Sequence, residues 1–185
     1  MTSTRNKLVW VALLCLGLIG KAEAQNYVGK SLKMTIFSST PVEDIKAAST
    51  SASAVLVADK QELAVQVPMK SLEFDKKLMQ QHFNENYMES DKYPMAKFKG
   101  TITPQLDWSK DGEYPVTVKG VLNVHGVDQN RTITGKITIK GNTVSISSSF
   151  EVACKDHQIK IPRLVFAKIA EVIKVTIQGT LEPLK

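Results

Sequence analysis

The fold is decided by the stretch Val116–Ala153, "VTVKGVLNVHGVDQNRTITGKITIKGNTVSISSSFEVA", in which apolar and polar residues alternate three times in succession. Val116, Val118, Gly120, Leu122 and Val124 alternate with Thr117, Lys119, Val121, Asn123 and His125. After a turn at "HGVDQN", Ile133, Gly135, Ile137 and Ile139 alternate with Thr132, Thr134, Lys136, Thr138 and Lys140. "KGN" at Lys140 to Asn142 is a hairpin turn, since Gly and Asn tolerate positive φ there. The third run sets Val144, Ile146, Ser148, Phe150 and Val152 against Ser145, Ser147, Ser149 and Glu151. A period of two means half-buried strands, each with one wet and one apolar face.

The same period extends outward from this stretch. Leu63, Val65, Val67 and Met69 alternate with polar or small residues upstream, and Val175, Ile177, Gly179 and Leu181 do so near the C-terminus. Leu32–Ser39, Ala54–Ala58 and Ala96–Thr103 read as further strands, and Val42–Ala47 as a short strand or turn. Antiparallel strands of this kind must hide their apolar faces together, and closure into a barrel also removes exposed edges. Strands near ten residues span about 30 Å. A small barrel is filled by its own side chains or holds one ligand. Gly120, Gly135, Ser148 and Gly179 fall in the inward register, where small residues either leave volume empty or ease the coiling of the strands.

One segment breaks the alternation. Asp75 is placed to cap a helix starting at Lys76, after which Leu78, Met79, His82 and Phe83 fall on one side. A second turn, "SDKYP", begins at Ser90 and stops near Pro94. This excursion, with Tyr87 and Met88, is either a lid over an apolar pore or a plug sealing the barrel end. Methionines suit a surface that conforms to a variable apolar partner. "RLVFAKIAEVI", from Arg163 to Ile173, is a second apolar interruption, with Leu164, Phe166 and Ile169 as a possible opposite wall.

At the N-terminus, Arg5 and Lys7 precede an uncharged apolar run from Leu8 to Ile19, followed by Ala22-Glu23-Ala24. That pattern reads as a secretory signal peptide over residues 1–24, cleaved before Gln25. The run is too short to cross a bilayer comfortably, and no transmembrane segment is expected after cleavage. Cys15 follows Leu14, where a lipidation signal wants a small residue, so it leaves with the signal. Removing 24 of the 185 residues leaves one domain, 25–185, large enough for a real core.

Losing three cations and one anion with the signal lowers the formal charge from +6 to +4. The excess is spread along the chain. The densest group, Lys70, Lys76 and Lys77, is interrupted by Glu73 and Asp75, so no basic stripe points to nucleic acid. Cys154 is the sole cysteine after cleavage, so no disulfide staples the domain. It continues the alternation of Phe150 and Val152 and reads as a small core residue.

An enzyme needs a convergent nucleophile, base and oxyanion donor. His82, His125 and His157 are scattered over a helix, a strand end and a loop. His82 with Glu85 lacks the second histidine of a zinc helix, and Asp156-His157 are mere sequence neighbours. Asn130-Arg131-Thr132 fits a glycosylation acceptor, which matters only in a pathway that glycosylates. Neither a metal, a cofactor nor catalysis is expected from these residues.

Three segments in order, "FSSTPVEDIKA" (Phe37–Ala47), "KSLEFDKKLMQQHFNENYMESDKYPMAKFKG" (Lys70–Gly100) and "VKGVLNVHGV" (Val118–Val127), resemble the YceI-like family of exported lipocalin-like proteins. The resemblance runs from about Leu32 to Leu181. It implies an all-β fold: an extended eight-stranded antiparallel lipocalin-like β-barrel with short helical elements. It further implies a periplasmic or secreted protein whose pore holds a polyisoprenoid, an isoprenoid quinone or a fatty amphiphile, with a homodimer possible. The tail-binding residues expected on this reading are Phe74, Leu78, Met79, Phe83, Tyr87, Met88, Phe98, Leu122, Val124, Ile146, Phe150, Phe166, Val175 and Ile177. Two other classes stay open: an enzyme acting on such a lipid within the pore, and an interaction module whose barrel is filled by its own side chains.

Overall fold

The computed structural model describes residues 25–162 and 167–184. The signal-like segment 1–24 lies outside them. In chain order the strands are β1 (Asn26–Ser39), β2 (Asp44–Val57), β3 (Glu62–Pro68), β4 (Glu73–Phe74), β5 (Met95–Thr103), β6 (Gly112–Val124), β7 (Val127–Lys140), β8 (Thr143–Ala153) and β9 (Val172–Pro183). Every pairing is antiparallel, in the order β1-β9-β8-β7-β6-β5-β3-β2, and β1 also pairs β2. Eight strands therefore close into a barrel. The ninth, β4, is a two-residue strand that adds to β2 at Ala47 and Ala48.

The three alternating runs become β6, β7 and β8, with the apolar members inward: Val116, Val118, Leu122, Ile133, Ile137, Ile139, Val144, Ile146 and Val152 are all buried. Two boundaries differ from expectation. The turn read as "HGVDQN" is only His125-Gly126, and β7 starts at Val127, because both turn residues adopt positive φ and complete a two-residue hairpin. Gly126 is required twice over, since a Cβ there would also lie 2.4 Å from the Tyr93 ring. β1 and β2 each run 14 residues, longer than expected. The small residues Ala47–Ser53 carry too little hydropathy contrast to display a period.

The inward glycines divide. A Cβ on Gly120 would sit 2.1 Å from the Lys99 carbonyl oxygen and one on Gly100 would sit 2.6 Å from that of Lys119, so this facing pair lets β5 and β6 approach closely. At Gly179 the space is taken by Leu32, whose Cγ would lie 2.7 Å away. Gly135 and its partner Ser148 line a cavity, though a Cβ on Gly135 would lie 2.8 Å from the Ser147 carbonyl oxygen.

One end of the barrel is sealed. Tyr27, Leu32, Leu56, Ile139, Val144 and Leu181 pack there, under a strap carrying Leu106 and Trp108. Buried Gln61 fastens the strap: its Nε2 donates to the carbonyls of Ala58 and Leu106, each at 3.1 Å, and its Oε1 accepts from the Leu106 amide. Trp108 Nε1 donates to Ala58 O at 2.9 Å. No helix among the described residues is long and apolar enough to cross a membrane.

Candidate functional site: a divided apolar cavity

At the other end the chain makes its helical excursion. Helix α1 (Lys77–His82) widens into a π turn over Phe83–Tyr87, closed by the Met88 amide donating to Phe83 O at 2.9 Å. Asp75 does not cap it; the cap position is Lys76, and no side chain bonds there. Gln80 does the anchoring, its Oε1 accepting from the Phe74 amide at 2.9 Å and its Nε2 donating to Leu72 O at 2.6 Å. The rings of Phe74 and Phe83 pack at 4.9 Å. α1 itself buries no residue fully, and Leu78 is 62% exposed. A helix this short is marginal alone, so these tertiary ties hold it.

Beneath the excursion lies a cavity of about 470 Å³, bounded by β1, the β1–β2 turn, the helical segment and the β8–β9 connection. Its wall is predominantly apolar. The ionisable side chains on it are Glu43, Lys76, His82, Tyr87, Cys154 and Lys168. Lys76 pairs with Glu43 at 3.0 Å. Burial pushes the Tyr87 phenol and the Cys154 thiol above their ordinary ranges. A second cavity of about 120 Å³, almost wholly apolar, lies deeper in the barrel. The two share Met34, Ala96, Val124, Val152 and Val175 as wall residues.

The structure places Phe74, Leu78, Met79, Phe83, Tyr87 and Met88 on the outer cavity, and Phe98, Leu122, Ile146, Phe150 and Ile177 on the inner one. Val124 and Val175 border both. Phe166 and Leu164 lie outside the described residues, whereas Ile169 is on the outer wall. Sequence reasoning missed Met34, Ile36, Met69, Leu72, Ala96, Cys154, Ile159, Ile161 and Ile173 on these walls. For Met34, Ile36 and Ala96 the period of two within their own strands is a signal that was there to be followed one strand further. Ile159 and Ile161 sit in irregular chain and carry no such mark.

The histidines are less scattered than their sequence positions. His125 Nδ1 donates to the His157 carbonyl at 3.1 Å, and its Nε2 lies 2.8 Å from a Glu89 carboxylate oxygen. His157 is fully buried and its Nδ1 donates to Val127 O at 3.1 Å. Tyr93 packs edge-on against His125 at 4.5 Å. This group stitches the chain after the π turn to the β6–β7 hairpin and to the 3-10 turn Cys154–His157. Neither histidine is on a cavity wall. Among the described residues no group of three His, Cys, Asp or Glu could hold a metal ion.

The family model of the YceI-like domain matches residues 26–181. No curated protein matches the chain. Among solved structures, a polyisoprenoid binding domain from Saccharophagus degradans, implicated in plant cell wall breakdown, superposes with a TM-score of 0.73 at 12% identity, covering 86% of this chain and 98% of that one. BcnA of Burkholderia cenocepacia gives 0.66 at 15%, covering 80% and 95%. A YCEI protein of Campylobacter jejuni gives 0.56 at 14%, covering 75% and 84%. At such identities the likeness is one of fold.

Proposed function

The chain belongs to the YceI-like domain family, and from that premise we propose that it is an exported binding protein that holds the tail of a polyisoprenoid or similar long-chain amphiphile inside its barrel. The observation that carries this reading is the cavity of about 470 Å³ at one barrel end, with its charged side chains Glu43, Lys76 and Lys168 beside a predominantly apolar wall. An amphiphile matches that polarity: tail against Met69, Leu72, Phe83 and Met88, head near the lysines. Each buried methylene contributes about 0.8 kcal/mol. The Saccharophagus domain described as polyisoprenoid binding has the same fold, which supports an isoprenoid tail here.

The role is carriage or storage rather than turnover, because among the described residues the outer wall offers one histidine, one thiol and no convergent donor set. Residues 1–24 act as the export signal and the protein works in the periplasm or outside the cell. Two measurements test the proposal. Intact mass of exported protein should match a chain beginning at Gln25. Organic extraction of protein purified without added lipid, followed by mass spectrometry, should yield a single-chain isoprenoid or fatty amphiphile in near-stoichiometric amount; an extract free of lipid, together with failure of the emptied protein to take up a fluorescent lipid, overturns it.

A further inference from the structure

The five residues common to both cavities come from five different strands: Met34 on β1, Ala96 on β5, Val124 on β6, Val152 on β8 and Val175 on β9. They form a ring across the barrel where its hollow divides. Three are valines, whose side chains are stiff at χ1, and Ala96 has no rotamer at all. Met34 is the one adaptable member. The ring is thus a collar of nearly fixed bore, and the smallest side chain on it, Ala96, decides how wide it stands.

Beyond the collar the inner chamber runs toward the sealed end. Its floor is built from Val116, Ile137 and Ile146, all buried and continuous with the packed core of the sealed end. From Val152 to Ile146 the chamber follows β8 for six residues, about 20 Å along the strand. With so apolar a wall, water inside would lack the two to four polar partners it needs. Keeping such a space empty lowers stability. Something apolar, long and thin is its natural occupant.

We propose that the inner chamber is a chain-length gauge: a tail seated in the outer cavity passes the Ala96 collar, and the floor at Ile137 and Ile146 sets the longest tail that is wholly buried. This rests on the outer cavity being a tail site. The test uses the full mature chain and a homologous series of straight-chain fatty alcohols displacing a fluorescent lipid. In the wild type, affinity rises about fourfold per methylene and levels off at the length that reaches the floor. Ala96→Leu blocks the collar, so the plateau comes at a shorter chain while short alcohols bind as before. Ile146→Ala deepens the chamber and moves the plateau to a longer chain, which a merely structural role would not do. Ala96→Val serves if the leucine variant fails to fold. Unchanged plateaus in both folded variants overturn the gauge and leave the tail site standing; a wild type that binds no member of the series overturns both.

Discussion

The two ends of this barrel are made from the same eight strands and finish differently. At the sealed end Gln61, Trp108 and Tyr27 bring polar groups inside and satisfy them: the Gln61 side chain donates to Ala58 O and Leu106 O and accepts from the Leu106 amide, the Trp108 indole donates to Ala58 O, and the Tyr27 hydroxyl donates to Gln25 Oε1, so that the strap bearing Leu106 and Trp108 is tied to Gln61 and Ala58. At the helical end the covering segment is held from its sides, by Gln80, by the Phe74–Phe83 ring pair and by Glu89 at His125, and it leaves a hollow beneath. A closed end needs buried polar groups that are paired. A hollow end needs an apolar wall and a cover attached at few points.

That contrast breaks most decisively at Phe150, on the inner-cavity wall. Phe150→Asp places an unpaired carboxylate against an apolar wall and should weaken lipid uptake by about a thousandfold, measured by displacement of a fluorescent lipid after circular dichroism has verified the fold. Its neighbour Ser149 is exposed on the outer face, so Ser149→Asp should change neither melting nor binding. The reverse outcome would mean that the inward register is wrong by one residue, which in a strand reverses every assignment.

Next in size is Gln61→Leu at the sealed end. It strands the Leu106 amide and carbonyl in a buried place, whereas Ala58 O keeps its bond from the Trp108 indole, at a cost of about 3 kcal/mol in chemical denaturation, while leaving lipid exchange kinetics near those of wild type. Phe83→Ala sharpens the contrast from the other side. The ring is only half-buried and packs on Phe74, so its loss should lower stability by about 1 kcal/mol and speed lipid release in stopped-flow exchange. An unaltered release rate would make the segment a structural plug.

The smallest effect is read at Cys154. Burial raises its thiol above the ordinary range, so at neutral pH less of it is thiolate than in a free thiol. Alkylation should be slow, should accelerate as pH rises through that elevated range, and should slow further when lipid fills the outer cavity whose wall it shares.

The sequence alone determined the strands and which face of each turns inward, and the resemblance to the YceI-like family supplied the eight-stranded barrel. The alternation of Val116–Val152 and Val175–Leu181 is a local property, visible because successive side chains of a strand point to opposite faces, and it places Leu122, Ile146 and Phe150 inward without knowledge of any partner. The helical interruption at Leu78–Met88 was legible for the same reason, as a loss of that period. Its anchoring was not: Asp75 has the right chemistry for a cap, yet Gln80 holds the helix through contacts with Leu72 and Phe74 that depend on how the chain turns back.

What only the tertiary structure decided concerns distances between walls. Alternation states which way a side chain faces and says nothing of how far away the opposite strand lies. Gly120 and Gly179 therefore read equally as empty volume or as eased coiling, and only the structure shows Gly100 and Leu32 standing against them, while Gly135 and Ser148 line a cavity. Ala96 was one small residue among many until Met34, Val124, Val152 and Val175 were found around it, brought from four other strands. His125, His157 and Glu89 likewise meet only because a hairpin, a 3-10 turn and the end of the helical segment converge. Packing across a barrel is set by strand tilt, stagger and closure together, and no single strand carries that information.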